Sequence, residues 1–342
     1  MRTTRLLAAT AAAAIAVVEV AAQRPANTSV CDYYTTVLLG NNSAANQATV
    51  LTLLVNTAVV GNYTKPSIPG VTWPDVPVPG ILAPGTVNGT AVNLLPYFNG
   101  GLASSNRGGS SGVAVNFLDD GGALPLMMNK PANGTRSNQF RLLTHLYAYF
   151  GVLLGCTQQG TTTHPIPAFP SYNGSASMYA THKYMALSSP QLAYFIQQVG
   201  LAASSFGIAD ADIGVVATSL MDTFGQRCSK DAVVVPYQRP AKPQAICTGE
   251  GCEVAGGEGV SEDCVKAGPA PRPGVADAVK AAGQGNASST ATASASGSGT
   301  ANVTSEAGSA PTQTGGVEGE GGRRSGVGAA LAGVVAVLAV LL

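Results

Sequence analysis

Six cysteines, Cys31, Cys156, Cys228, Cys247, Cys252 and Cys264, limit what this chain can fold into more than any other feature. Residues 1–22 open with Arg2 and Arg5, run on as Ala, Leu, Val and Ile, and finish Val20-Ala21-Ala22, the small-residue pattern that precedes signal-peptidase cleavage. An even thiol count behind such a leader predicts a disulfide framework with no free thiol, and the count alone leaves the pairing open. Cys247-x4-Cys252-x11-Cys264 has no histidine near it, so a stapled loop fits better than a zinc site.

Composition divides the rest. Residues 283–322 are nearly all Gly, Ala, Ser and Thr, which cannot bury enough apolar area to offset the entropy of ordering, so a disordered stalk is predicted. Residues 323–342 begin with Arg323 and Arg324 and end in an apolar run shorter than the roughly 20 residues of a membrane span. With the small residues Gly315 and Gly316 ahead of it, this tail reads as a GPI-attachment signal. Residues 230–282 form a Cys/Pro/Gly-rich segment, which leaves 23–229 as one globular domain. The formal net charge is zero and 11% of residues are charged, which argues against nucleic acid or an anionic lipid surface as partner. Sequons at Asn27, Asn41, Asn62, Asn88, Asn133, Asn173, Asn286 and Asn302 fit an exterior glycoprotein.

Helical periodicity dominates the domain. Leu142, His145, Leu146, Tyr149, Phe150 and Leu153 fall on one arc, predicting an amphipathic helix over 137–154 that Gly155 ends. Ser188-x-x-Gln191 with Pro190 opens a second over 188–206, Asp210 caps a third, 45–60 is an early helix and 178–185 a short one. The proline-rich stretch 63–90 and the glycine-broken stretch 100–135 cannot be continuous helix, and 112–118 could form one strand. The overall expectation is an all-α fold with long Pro/Gly-rich insertions.

Three histidines carry most of the chemistry that can be read. His182 sits four residues after Met178 and three before Met185, so its ring should point into apolar packing; His145 lies at the edge of its helical arc; His164 falls in a Thr/Pro loop. Asp119-Asp120-Gly121-Gly122 reads as a solvated turn rather than a catalytic carboxylate pair. The run 107–112 lacks the Lys-Ser/Thr of a phosphate cradle, and no nucleophile elbow accompanies the serines.

Pro96-Tyr97-Phe98-Asn99-Gly100, then Tyr149-Phe150-Gly151-Val152-Leu153-Leu154-Gly155, then Tyr172-Asn173-Gly174 ahead of Met178-Tyr179-Ala180-Thr181-His182, and finally Phe206-Gly207-Ile208 resemble, in order, the truncated (two-over-two) hemoglobins. The resemblance implies a globin-like helical domain holding haem b. It matches His182 to the proximal iron ligand and Phe98 to the phenylalanine on the haem face. His145 matches a histidine that some members place on the iron from the other side, making both histidines metal-ligand candidates. Leu142, Leu146, Phe150 and Met178 match pocket walls. Against the family pattern, the stretches 63–90, 101–135 and 158–170 are insertions, and Thr57 or Ala58 stands where many members carry a tyrosine. Cys31 and Cys228, flanking these helices, would staple the domain ends. The implied function is extracellular binding or redox conversion of oxygen, nitric oxide or peroxide by a GPI-tethered haem protein, with enzyme status open. The alternative is a cofactor-free cell-surface or wall glycoprotein that keeps the fold, with cell-wall glycans as candidate partners.

Overall fold

The computed structural model describes residues 24–63, 65–67, 71–161, 168–257, 260, 262–271 and 273. The leader 1–22, His164, the stalk 283–322, the tail 323–342 and the sequons at Asn286 and Asn302 lie outside the described residues. In chain order the elements are α1 (Val30–Leu39), α2 (Ala44–Val60), β1 (Gly85–Val87), β2 (Thr90–Val92), α3 (Leu95–Phe98), β3 (Asn99–Ser105) and β4 (Val113–Asn116). They continue with α4 (Ala123–Met127), α5 (Asn138–Leu153), α6 (Met178–His182) with a 3-10 turn (Lys183–Met185), α7 (Ser189–Ser204), α8 (Asp210–Phe224) and α9 (Glu262–Ala267).

The all-α expectation is wrong. Two antiparallel hairpins, β1–β2 and β3–β4, occupy the stretches where proline and glycine break the helical pattern. The first closes at Asn88-Gly89, both with positive φ (47° and 78°), the geometry of a tight hairpin turn. In the second, β3 makes irregular steps against β4, so its alternation is not a clean period of two. The fold is mixed α and β.

The helices form where periodicity and caps place them. Ser43, Ser137 and Ser177 hydroxyls accept from backbone N–H groups in the first turns of α2, α5 and α6. Ser188 and Gln191 close a capping box on α7. Asp210 is the first residue of α8 rather than its cap, which is Ala209. Apolar α2 is the spine of the core: it packs on α5 and α7, and α7 packs on α8. On α5 the fully buried face runs through Leu143, Tyr147 and Phe150, while Leu142 and Leu146 stay partly exposed, so the buried arc is rotated from the expected one.

All six cysteines pair, as Cys31–Cys156, Cys228–Cys264 and Cys247–Cys252. Cys31 therefore binds Cys156 just beyond α5, and Cys228 binds the C-terminal segment instead of Cys31. Three disulfides mark a protein of an oxidising, extracytoplasmic compartment. The six sequon asparagines among the described residues are all exposed.

Candidate functional site

α6 owes its position to residues on both sides of it. Its N–H groups are taken by Gln244 Oε1 (to Met178 N, 3.3 Å), the Pro243 carbonyl (to Tyr179 N, 3.4 Å) and Ser177 Oγ (to Ala180 N, 3.1 Å). One turn on, His182 Nδ1 lies 2.8 Å from the Met178 carbonyl oxygen. A carbonyl cannot donate, so Nδ1 carries the proton and Nε2 keeps its lone pair. Burial holds the imidazole below its usual pKa, with the Met178 hydrogen bond opposing in part, so the ring is neutral at pH 7. His182 nevertheless retains intermediate exposure. A neutral imidazole with one nitrogen pinned and the other unprotonated is the form that ligates a metal.

His145 sits differently. It is exposed on the flank of α5, its ring edge-on to Tyr172 at 6.1 Å, and burial lowers its pKa while a hydrogen bond to the Asn173 side chain raises it. Tyr172 in turn packs 5.0 Å from Tyr149, which lies 6.5 Å from Phe224. The buried Tyr149 hydroxyl has no hydrogen-bond partner among the described residues, and burial pushes its pKa up.

Of the expected pocket-wall residues, Met178 is buried beside His182 in α6, and Phe98, Leu142 and Leu146 are partly exposed at the edge of the core. Phe150 instead lines an apolar cavity of about 30 Å³ shared with Leu54, Ile196 and Leu220. A second cavity, about 10 Å³, lies behind Trp73 and Phe206. The hairpin β3–β4 ties α5 to α6: Asn106 Nδ2 donates to the Ala180 carbonyl (2.9 Å), and the neighbouring Arg107 Nη1 to Asn138 Oδ1 (2.7 Å).

Among the described residues no group of three or more His, Cys, Asp or Glu side chains could hold a bare metal ion. Haem asks less of the protein, a single axial side chain plus apolar walls, and the tautomer of His182 suits that part. Neither cavity named above is lined by His182, and both are far below the several hundred Å³ of a typical cofactor pocket.

Sequence reading missed Gln244, Tyr172 and Asn173 as partners of the two histidines. Gln244 acts from 66 residues away, a distance no local pattern reports. No family model, curated protein or solved structure matches the chain.

Proposed function

We propose that the chain is an extracellular haem-binding protein, similar to truncated hemoglobins in its helical part, that binds or redox-converts a small ligand such as oxygen, nitric oxide or peroxide. The observation that carries this reading is the pinned imidazole: Nδ1 of His182 held by the Met178 carbonyl at 2.8 Å in a desolvated setting. Haem, if held there by His182, would supply an iron centre for binding or redox conversion of a small ligand.

The chain's own part is to hold, orient and exclude. His182 offers a neutral nitrogen without loss of a proton at pH 7. Met178, buried one turn before His182, and the partly buried Phe98, Leu142 and Leu146 are the apolar residues that would line a haem in this reading. His145 is engaged with Tyr172 and Asn173, so service as a second axial ligand requires it to leave both. In the same reading the 323–342 tail is exchanged for a GPI lipid, the only membrane attachment, and release from cells by a phosphatidylinositol-specific phospholipase tests that tether.

Purified mature protein titrated with haemin should develop a Soret band that His182→Ala abolishes and that exogenous imidazole restores in His182→Gly. Folded wild-type protein that takes up no haem overturns the proposal. One observation favours a second reading, a cofactor-free surface glycoprotein: the small size of the two cavities, which gives that titration two distinct outcomes.

A further inference from the structure

α6 has five residues, too few to stand as a helix on its own. Two of its first three N–H groups are satisfied from the far C-terminal segment, by Gln244 and Pro243, and Ser177 Oγ also donates to the Pro243 carbonyl at 2.7 Å. The exit is held from the same segment. The Leu187 carbonyl accepts from Thr248 N (3.1 Å) and Gly249 N (2.9 Å), inside the loop closed by Cys247–Cys252. Between the two grips Ala186 adopts a left-handed φ of 47°, a conformation that a non-glycine residue keeps when its surroundings impose it.

The peptide between Met178 and Tyr179 is the centre of this arrangement. Its C=O accepts from His182 Nδ1, and its N–H donates to Pro243, so the two hydrogen bonds align and polarise one another. Gln244 fixes the adjoining peptide through Met178 N. It is 1% exposed, and its amide nitrogen shares its two N–H groups among the Ala176, Ala232 and Lys242 carbonyls, 2.9 to 3.1 Å away. One buried amide thus ties the loop entering α6 to the C-terminal segment.

We propose that Gln244, carried by the disulfide-stapled C-terminal segment, is a positioning residue for His182: it fixes the Met178 carbonyl and through it the tautomer and orientation of the imidazole. The inference rests on the reading of His182 as an axial ligand, and its test does not need haem. The mature, haem-free protein is ¹⁵N-labelled, and long-range ¹H–¹⁵N correlation reads the His182 tautomer in wild type, Gln244→Met and Gln244→Asn. Methionine keeps volume and loses every polar contact; asparagine keeps the amide and falls short of Met178.

In wild type the Nδ1–H form should dominate. In both variants the ratio should shift about fivefold towards Nε2–H, the loss of one net hydrogen bond, and haemin affinity should fall about tenfold, as for other groups that orient a metal ligand. A variant with native near-ultraviolet circular dichroism, three intact disulfides and the wild-type tautomer ratio overturns the proposal. Loss of folding in both variants also counts against it, since a positioning contact and not a folding contact is claimed. If wild type binds no haem while the tautomer still responds to Gln244, the haem reading falls and the positioning role stands.

Discussion

Lys65 is a charge placed where water is scarce. Its Nζ donates to the Ser205 carbonyl and Oγ, both at 2.8 Å, and lies 4.4 Å from the Phe206 ring centre and 5.8 Å from that of Trp73. The cation closes the C-terminal end of α7, a favourable dipole position, yet burial pushes its pKa down to about 8. An unfolded chain titrates the same amine near 10.4. Between these values the unfolded state binds more protons than the folded one, so this group's contribution to stability rises with pH from about 8 to about 10. Urea unfolding of wild type and Lys65→Met across that window should show the wild-type advantage growing with pH; a constant difference would mean an unshifted lysine. A second buried polar contact makes a simpler prediction. The Tyr147 hydroxyl donates to Asn56 Oδ1 at 2.6 Å, and Asn56 is fully buried. Tyr147→Phe leaves that oxygen unpaired and should lower unfolding stability by about 1–3 kcal/mol.

The end of α2 shows why the proline-rich stretch is structure rather than linker. Ile81 N and Leu82 N donate to the Ala58 and Val59 carbonyls (2.8 and 3.2 Å), so the turn ahead of β1 supplies partners that helix ends otherwise lack. Gly61 and Gly80 both take φ of +83° and meet back to back: a Cβ on Gly80 would overlap the backbone of Gly61 and Val60. Gln198 and Tyr194 of α7 then bind the Gly80 N–H and carbonyl. Gly80→Ala should therefore cost at least about 3 kcal/mol, since it adds both a left-handed alanine and a backbone clash; a loss under about 1 kcal/mol in urea unfolding would show that the crossing is loose. Elements of this kind divide what could be read from what could not. α2, α5, α7 and α8 were legible because ten or more residues repeat at a helical period, and serine caps mark the starts of α2, α5 and α7. Three-residue β1 and β2 offer no period to count, and the Val87-Asn88-Gly89-Thr90 turn was the one local signal available for them. His182 was legible as inward-facing from its two methionines. Its hydrogen-bond partners were not, because a glutamine side chain reaching across the fold leaves no periodic trace.

At the scale of the whole molecule, the described residues are tied back on the fold near both of their limits. Arg24 pairs with Asp212 at 2.8 Å, Tyr34 donates to the same carboxylate at 2.9 Å, and Cys31–Cys156 ties α1 to the end of α5 across 125 residues. Cross-linking a loop that long restricts the unfolded ensemble by about 4–5 kcal/mol in the chain-entropy account. Replacing both cysteines by serine should lower unfolding stability by an amount of that order; a change under about 1 kcal/mol would mean the unfolded chain is already compact there. The other closure decides whether residues 230–271 are an appendage or part of the fold. Arg227 N and Ala255 N exchange backbone hydrogen bonds with Glu253 and Arg227, Ile246 N and Cys247 N both bind the last carbonyl of α8, and Ala270 N returns to Thr248. A chain ending at Ser229 loses all of these, strands Cys228 without Cys264, and removes Gln244 and Pro243 from α6. Amide hydrogen exchange should then show Met178 and Tyr179 protected in the full mature chain and exchanging nearly as fast as unfolded peptide in the 23–229 fragment, while the central amides of α2 and α7 lose much less. Equal protection of α6 in both would mean that the helical domain builds its histidine helix unaided, and that the C-terminal segment only covers it.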